Sequence, residues 1–288
     1  MPLVSIGHAL RRAQAEHYAI PLFDVFDSTS VDGVFTAMEE KKAPVIFALY
    51  SGIFDRPVAH PLADYIRTRA VASPSPTALM LDHGSSFDVA MKALTWGFTD
   101  VMYDGSSLPL EENIANTQVV VRAARALGVC VEAELGHVGS GREYVDFSSV
   151  QKGFTDPAAV EMFVSQTEVD FLAVAIGNAH GLYHGEPNID IDLLKEIRSR
   201  VEIPLVLHGG TGISEAQFQA AIQAGIAKIN VATDLYVSAA RRMTDQVSLD
   251  SKKPEGAGYF SLTGAAFEAF RERAGYYIDL FGATGKAE

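Results

Sequence analysis

The stretch PLVLHGGTGISEAQFQAAIQAGIAKINVATD, residues 204–234, carries the pattern that decides the fold. It begins with a short apolar run at 204–207, continues with a helical pattern at 214–223, and ends with a second run at 227–231. Both runs are mostly apolar instead of alternating with polar residues, as strands buried on both faces of a parallel sheet require. The stretch therefore predicts one strand–helix–strand unit of an α/β fold.

The same alternation extends over the rest of the chain. Strand-like runs recur eight times, at 18–23, 45–49, 77–81, 100–103, 129–133, 171–175, 204–207 and 227–231. Helical patterns between them include 28–41, 85–95, 109–127, 157–166 and 214–223. Eight strands alternating with helices predict a (β/α)8 TIM barrel, a single domain over residues 1–288 with a C-terminal helical extension. A doubly wound open sheet is the alternative, but no Gly-x-Gly-x-x-Gly turn follows the first strand.

Two segments near the C terminus are predicted to lack regular structure. Residues 248–258 are polar and glycine-rich, which indicates a mobile loop before a C-terminal helix. Residues 282–288 have the composition of a frayed tail.

Composition limits the classes of function. The 288 residues include 23 Lys and Arg against 36 Asp and Glu, a net charge of −13. Because an acidic field repels phosphate backbones, we expect no nucleic-acid partner, although a small phosphorylated ligand needs only a local pocket of donors. The single cysteine, Cys130, excludes an internal disulfide and a multi-cysteine zinc module. No run reaches the roughly 18 apolar residues of a membrane span. We see no secretory signal, so we predict a cytoplasmic protein with no membrane partner.

Polar side chains follow six successive predicted strands, from the third to the eighth. In a barrel of this type the chemistry lies at the carboxyl ends of the strands. The residues at these ends carry carboxylate, imidazole or amide groups, usually beside glycine: Asp82 and His83, Asp104, Glu134, His180, His208 and Asn230.

Three of these residues are histidines. A single histidine near an apolar strand is more often a packed residue than a metal ligand. His83, His180 and His208, however, all follow strands whose ends converge on the mouth of one barrel. Three protein nitrogens with an open position are the arrangement of catalytic zinc, so we predict a metal site there. His137 and His184 lie in loops near the mouth and remain unassigned.

The carboxylates at the strand ends each allow more than one interpretation. Asp82 directly precedes His83, so the two side chains are not expected to point the same way along a strand. Asp82 either orients a histidine or transfers a proton at the substrate. Asp104 and Glu134 either bind the metal, support its ligands or cap helices.

A glycine-rich turn follows the seventh predicted strand. Gly209, Gly210 and Gly212 flank Thr211, and Thr233 follows the eighth strand. Loops after strands 7 and 8 form the common phosphate site of such barrels. Glycines let backbone N–H groups approach an anion closely, and the threonine hydroxyls add donors. The location of the turn therefore predicts a phosphate-binding role.

The residues also resemble those of a known family, the class II zinc-dependent ketose-bisphosphate aldolases. The similarity covers nearly the whole chain. It rests on the strings LDHG (81–84), VMYDGSSLPLEENI (101–114), VEAELG (131–136), LAVAIGNAHGLY (172–183), VLHGGTGI (206–213), KINVATDL (228–235) and YIDLFGATGKA (277–287).

The resemblance implies roles for individual residues. His83, His180 and His208 match zinc ligands, Glu134 matches a carboxylate that joins or exchanges at the metal, and Asp104 matches a second metal-site or outer residue. Asp82 matches the catalytic acid. The dihydroxyacetone-phosphate pocket, often supported by a monovalent cation (Na⁺ or K⁺), matches Ser51, Gly181, Gly209, Gly210, Thr211, Asn230, Val231, Ala232 and Thr233. The resemblance also implies a homodimer or homotetramer.

The implied chemistry is consistent with these residue types. Cleavage of a C3–C4 bond leaves an enediolate, which Zn²⁺ held by three neutral imidazoles can stabilise. Asp82 would move the proton at the C4 oxygen. A Schiff-base route would need a lysine at a strand end, and neither Lys195 nor Lys228 has that position, so we reject it.

Three departures from the family pattern affect the predicted substrate. Asp24 and Asp27 stand where amides are usual, which would either alter hydrogen bonding to a sugar or add a cation site. Glu143 is our candidate for the proton-transfer carboxylate of the loop after the fifth strand, in a shifted register. The family's Asp-Pro-Arg segment for a distal phosphate is replaced by SKKPE (251–255), so either Lys252 or Lys253 substitutes or the substrate has no second phosphate.

The sequence therefore predicts reversible cleavage of a ketose phosphate into dihydroxyacetone phosphate and an aldehyde, with fructose or tagatose 1,6-bisphosphate as the example. A ketose 1-phosphate or modified sugar without a distal phosphate is the alternative substrate. A metal-dependent sugar-phosphate isomerase or epimerase is the alternative reaction. A non-catalytic subunit is the third reading, and the presence of Asp82 with all three histidines argues against it.

Overall fold

The structure, a computed structural model, describes residues 3–144, 146–251 and 256–287. Eight parallel strands close into a barrel in the order β1 to β8, and β8 pairs with β1. This confirms the predicted (β/α)8 barrel. The strands are β1 (Ile20–Asp24), β2 (Val45–Tyr50), β3 (Thr77–Gly84), β4 (Asp100–Tyr103), β5 (Cys130–Leu135), β6 (Phe171–Val174), β7 (Leu205–Leu207) and β8 (Ile226–Val231).

Helices surround the barrel and extend it at the C terminus. Two short 3₁₀ helices, Ser51–Ile53 and Gln151–Gly153, lie in the connections. The α-helices are α1 (Gly7–Ala15), α2 (Ser28–Lys41), α3 (Ala59–Ala72), α4 (Phe87–Thr95), α5 (Leu110–Arg125), α6 (Phe147–Val150), α7 (Pro157–Thr167), α8 (Ile191–Arg200), α9 (Glu215–Gln223), α10 (Thr233–Asp250) and α11 (Tyr259–Leu280). Among the described residues, none of the helices combines the length and the hydropathy of a membrane-spanning segment.

Local sequence explains where several of these helices begin. The Asp27 carboxylate accepts a hydrogen bond from the backbone N–H of Ser30, and the Ser30 hydroxyl accepts one from the backbone N–H of Asp27, a capping box that starts α2. Asp156 caps α7, and Pro157 occupies its first turn. Ser214 caps α9. These caps set the points at which the chain leaves the barrel mouth and turns into the surrounding helices.

The C-terminal region differs from the sequence-based expectation. The predicted loop at 248–258 is helical at its start, because α10 continues to Asp250; residues 252–255 lie outside the described part of the chain. The predicted frayed tail is wrong for residues 282–287. Ala283 is fully buried, the N–H of Gly285 donates to the Lys41 carbonyl, and that of Ala287 donates to the Lys42 carbonyl. The tail is therefore attached to the end of α2.

Candidate active site

A cavity of about 1020 Å³ opens at the carboxyl ends of the strands. Most of the residues predicted from sequence to form a site line it. They are Asp24, Ser51, Asp82, His83, Asp104, His180, Gly181, His208, Gly209, Gly210, Thr211, Asn230, Ala232 and Thr233. Barrel closure thus brings together residues that lie on seven of the eight strand ends.

The end of β3 presents Asp82 and His83 to the same cavity, contrary to the expectation that neighbouring residues of a strand diverge. His83 has a left-handed backbone with φ of 48°, and the pairing of β3 with β4 shifts register between Leu81 and Gly84. A β-bulge of this kind redirects side chains at a strand end. As a result, Asp82 Oδ2 lies 3.9 Å from His83 Nε2.

The three predicted histidines converge on one point. His83 Nε2 lies 3.1 Å from His180 Nε2 and 3.0 Å from His208 Nδ1. The opposite nitrogen of each ring faces an oxygen acceptor. His83 Nδ1 lies 2.7 Å from Asp104 Oδ2, His180 Nδ1 lies 3.1 Å from the Val138 carbonyl, and His208 Nε2 lies 2.7 Å from Glu132 Oε1. Acceptors on the outer nitrogens leave the inner nitrogens free as ligands, as in protein metal sites.

A second group of possible ligands shares His83. Its members are His83, Asp104 and Glu134, whose ligand atoms all lie within 4.8 Å of one another. Glu134 is buried, and its Oε1 accepts from the Val138 N–H at 3.0 Å. Its Oε2 is buried without a hydrogen-bond partner among the described residues. An unpaired carboxylate oxygen on a residue grouped with His83 suits a divalent cation of the zinc type, because such cations take nitrogen and oxygen ligands.

The electrostatics of the cluster favour a positive charge at its centre. Burial lowers the pKa of His83, but the negative charge of Asp82 and the hydrogen bond to Asp104 outweigh it and raise that pKa to about 10. Burial and the positive charge of His83 together lower the pKa of His180 to about 4. The site therefore accommodates one positive charge among the rings and resists a second.

Burial strongly raises the pKa values of two carboxyl groups around the cluster. Burial, reinforced by the negative charge of Asp104, raises the pKa of Glu134 to about 8. Burial and the negative charge of Asp82 raise the pKa of Asp24 well above its ordinary value. Asp24 Oδ1 is buried without a partner among the described residues. Each group would gain a partner from a cation or ligand in the cavity.

Below the cavity, two buried charged residues link the strands, and sequence reasoning missed their part in the site. Lys228 Nζ lies 2.8 Å from Glu132 Oε2 and 2.7 Å from Asn230 Oδ1. Asn230 Nδ2 donates to Asp82 Oδ1 at 2.8 Å. The signal was present in the sequence, since Glu132 and Lys228 each lie two positions before a polar strand-end residue and so face the same side of the strand.

The turn after β7 has the close backbone approach that its glycines predict. Gly209 has φ of 65°, and a Cβ there would collide with the Ala179 carbonyl oxygen. Tyr183, for which the sequence predicted no role, also links this turn to the chain after β6. Its hydroxyl accepts from the Ala179 N–H at 2.7 Å and donates to the Gly209 carbonyl at 3.1 Å. The turn is therefore fixed at a position where its backbone borders the cavity.

Comparisons with known proteins agree with this geometry. A family model described as "Fructose-bisphosphate aldolase class-II" matches residues 4–286. A relative from Escherichia coli (strain K12), "Uncharacterized protein YdjI", is 38% identical over 286 residues, 99% of this chain and 100% of the relative. The "Probable fructose-bisphosphate aldolase" of Bacillus subtilis (strain 168) is 38% identical over 293 residues, all of both chains.

Solved structures give the same result. The crystal structure of the YdjI aldolase from Escherichia coli K12 superposes with a TM-score of 0.87 at 36% identity, covering 99% of this chain and 100% of that one. A putative fructose-1,6-bisphosphate aldolase from Coccidioides immitis gives a TM-score of 0.85 at 27% identity, covering 96% of each chain.

The chain belongs to the class II fructose-bisphosphate aldolase family. This confirms the resemblance seen in the sequence and places the protein among the aldehyde-lyases. The isomerase or epimerase alternative gains no support from these matches.

Not every predicted residue lines the aldolase cavity. Glu143 is exposed in a turn, where its N–H donates to the Ser140 carbonyl, and it lies outside the lining, so its catalytic role stays a prediction. Val231 is fully buried in β8. Glu134 lies just beneath the lining, in contact with the metal-type cluster. His137, left unassigned from sequence, does line the cavity and has its Nδ1 3.1 Å from the Ser106 hydroxyl.

Proposed function

We propose that this protein is a zinc-dependent class II aldolase that reversibly cleaves a ketose phosphate into dihydroxyacetone phosphate and an aldehyde. The observation that carries the proposal is the convergence of three imidazole nitrogens, 3.0 and 3.1 Å apart, beside the Asp82 carboxylate in the cavity. Metal-dependent cleavage through an enediolate requires a metal site and a carboxylate beside it that transfers a proton.

His83 Nε2, His180 Nε2 and His208 Nδ1 would hold the zinc ion, and Asp104 and Glu134 would support these ligands or exchange at the metal. When bound, zinc would supply the positive charge that stabilises the enediolate left by C3–C4 cleavage. Asp104 and Glu132 would fix the tautomers of His83 and His208 by accepting from their outer nitrogens.

Asp82 is the proposed catalytic acid and base. In the cleavage direction its carboxylate would take the proton of the C4 hydroxyl as the C3–C4 bond breaks, and in condensation it would return that proton to the aldehyde oxygen. The Asn230 amide donates to its Oδ1 at 2.8 Å, which leaves Oδ2 to face the substrate.

The phosphate of the dihydroxyacetone-phosphate half would bind at Gly209, Gly210 and Thr211 and at Asn230–Thr233. Ala232 and Thr233 line the cavity at the start of α10, whose positive dipole end would face an anion bound there. The Thr211 hydroxyl accepts from the Asp234 N–H of this first turn at 3.1 Å and so holds the turn after β7 against the start of α10. Gly181 and Ser51 would complete this subsite. A monovalent cation (Na⁺ or K⁺) near the phosphate is part of the proposal.

The opposite wall of the cavity favours a substrate with one phosphate. It carries the hydroxyls of Ser85, Ser106 and Ser107 and the ring of His137, and no lysine or arginine is among the lining residues that the structure describes. Neutral donors of this kind suit the hydroxyl groups of an aldehyde better than a second phosphate. A ketose 1-phosphate is therefore our second candidate substrate beside the 1,6-bisphosphates, and Asp24 is the proposed hydroxyl contact.

A coupled assay for dihydroxyacetone phosphate tests the function. Zinc-loaded protein would be given fructose and tagatose 1,6-bisphosphates and the corresponding ketose 1-phosphates, with a chelator-treated sample as the control. We expect chelator-sensitive release, with the 1-phosphates at least as good as the bisphosphates. Zinc-bound protein that releases nothing from any of these would contradict the aldolase proposal. Light scattering of the same sample tests the proposed homodimer or homotetramer.

A further inference from the structure

A lysine and a glutamate lie inside the barrel. Lys228 on β8 and Glu132 on β5 are both fully buried, with 2.8 Å between Nζ and Oε2. The interior of a (β/α)8 barrel is normally filled by branched apolar side chains. Removing two charges from water often costs more than their mutual attraction returns, so an apolar pair would serve stability at least as well. The pair therefore calls for a role other than stability.

Lys228 determines which way the Asn230 amide faces. An ammonium group only donates, so Lys228 Nζ holds Asn230 Oδ1, at 2.7 Å. The amide nitrogen is then left to donate to Asp82 Oδ1, at 2.8 Å. In the flipped amide, the nitrogen would face the ammonium and the oxygen would face the carboxylate, so two repulsive contacts would replace two hydrogen bonds. Asp82 thus has a donor at a fixed place beside it.

The same lysine supports the metal-facing side through Glu132. One oxygen of Glu132 accepts from Lys228, and the other lies 2.7 Å from His208 Nε2. Because a carboxylate only accepts, Nε2 of His208 carries its hydrogen and Nδ1 remains free, 3.0 Å from His83 Nε2. A continuous path of hydrogen bonds therefore runs from His208 through Glu132, Lys228 and Asn230 to Asp82.

We propose that Lys228 is a positioning residue that holds Asp82 through Asn230, and His208 through Glu132, in the arrangement that the reaction needs. This inference rests on the aldolase function proposed above. Lys228 itself does not touch the cavity, since it is fully buried one layer beneath Asn230.

A neutral double variant, Glu132→Gln/Lys228→Met, tests the proposal without leaving a lone buried charge. The amide oxygen at position 132 still accepts from His208, whereas Asn230 Oδ1 loses its donor. We expect zinc affinity, measured by competition with a chelator, to stay within about tenfold of wild type and KM within about threefold. We expect kcat to fall by roughly 10- to 100-fold, because misplacing a reacting group has effects of that size.

The matched control is Glu132→Gln/Lys228→Gln, which is also neutral but keeps an N–H donor at position 228. It should recover part of the lost kcat. A cycle with Asn230→Ala then asks whether the lysine acts through the amide: in that background the neutral pair should lower kcat by no more than about threefold. Equal losses in both backgrounds, or wild-type kcat in the Met pair, would overturn the proposal.

One readout does not depend on activity. In nitrogen-15 NMR spectra of metal-free protein, His208 of the wild type should be the Nε2-protonated tautomer. The Asn230 side-chain amide should exchange with solvent at least about tenfold more slowly in wild type than in the Met pair. Unchanged exchange would overturn the positioning role. If wild-type enzyme with zinc released no dihydroxyacetone phosphate, the proposed function would fail while this measurement still tested the network.

Discussion

At the scale of single residues, the backbone of His83 places two functional groups side by side. A non-glycine residue in the left-handed region costs on the order of 1–3 kcal/mol and persists where the surrounding structure enforces it. Here the register shift between Leu81 and Gly84 enforces it. Position 84 requires glycine, because a Cβ there would collide with the Met102 carbonyl oxygen. The strain lies where the proposed acid, Asp82, and a proposed zinc ligand are neighbours in sequence.

Replacement of Asp82 tests the residue that carries the proton transfer. Asp82→Asn keeps the shape and removes the base, so kcat should fall by about 10²- to 10⁴-fold while KM and zinc content stay close to wild type. Steady-state release of dihydroxyacetone phosphate and metal analysis measure both. Asp245→Asn, on the exposed side of α10, is the control and should behave as wild type. Equal activity of the two variants would remove Asp82 from the mechanism.

At the scale of elements, Asp100 joins the start of β4 to the start of α1. The Ile6 N–H donates to both of its oxygens at 3.1 Å, and the Ser5 and Thr99 hydroxyls donate to it at 2.8 Å. Asp100 is fully buried at the opposite end of the barrel from the cavity. Burial raises its pKa to about 7, although these hydrogen bonds oppose the rise.

This carboxyl should make stability depend on pH. The pKa of Asp100 is higher in the folded protein than its ordinary 3.8. Its contribution is therefore complete below about pH 4 and is lost as pH rises to about 7. A difference of about three pKa units corresponds to about 4 kcal/mol. The free energy of unfolding in urea, measured from pH 4.5 to 7.5, should fall with pH more steeply in wild type than in Asp100→Asn.

The variant should be less stable than wild type at pH 4.5, because its amide N–H groups face donors, and the difference should shrink toward pH 7.5. Asp192→Asn, an exposed carboxylate of α8, is the control for general charge effects and should run parallel to wild type. Parallel curves for Asp100→Asn would contradict the assignment.

At the scale of the whole molecule, closure of the barrel assembles the site, and the C-terminal tail contacts the ends of α1 and α2. His83 and His208 are 125 residues apart in sequence, yet their ring nitrogens are 3.0 Å apart. The tail joins the end of α2 through two backbone hydrogen bonds, and Lys286 Nζ lies 2.7 Å from Glu16 at the end of α1. Residues near the N and C termini therefore contact each other on the side of the barrel where the last strand pairs with the first.

Deletion of residues 283–288 should lower the free energy of unfolding by about 2–4 kcal/mol, because it removes the buried Ala283 and the backbone hydrogen bonds. In calorimetry this corresponds to a Tm lower by roughly 3–7 °C, because the unfolding entropy of a chain of this length is large. The control Lys286→Ala removes a partly exposed ion pair with Glu16 and the contact of the ammonium with the Tyr18 ring, and should change stability by about 1 kcal/mol or less. A Tm within about 2 °C of wild type in the deletion variant would show that the tail contributes nothing.

The sequence by itself determined the fold and most of the residues at the cavity. Mostly apolar runs alternating with helical patterns are local features, and they predict eight β/α units without knowledge of any contact. A polar residue after a strand, such as His180 or Asn230, is also a local feature of the sequence, and barrel topology places all of these residues at one end of the barrel. The phosphate-binding role predicted for the glycine turn at 209–212 rests on the same reasoning, because it depends on the position of the turn after the seventh strand of a barrel.

The tertiary structure alone decided how these residues are held. Glu132 and Lys228 come from strands on different sides of the barrel and are 96 residues apart, so nothing local marks them as partners. The bulge that turns Asp82 and His83 to the same side depends on the register between β3 and β4. The attachment of residues 282–287 depends on the position of α2. Each of these features is a contact across sequence distance, and a pattern read along the chain does not contain it.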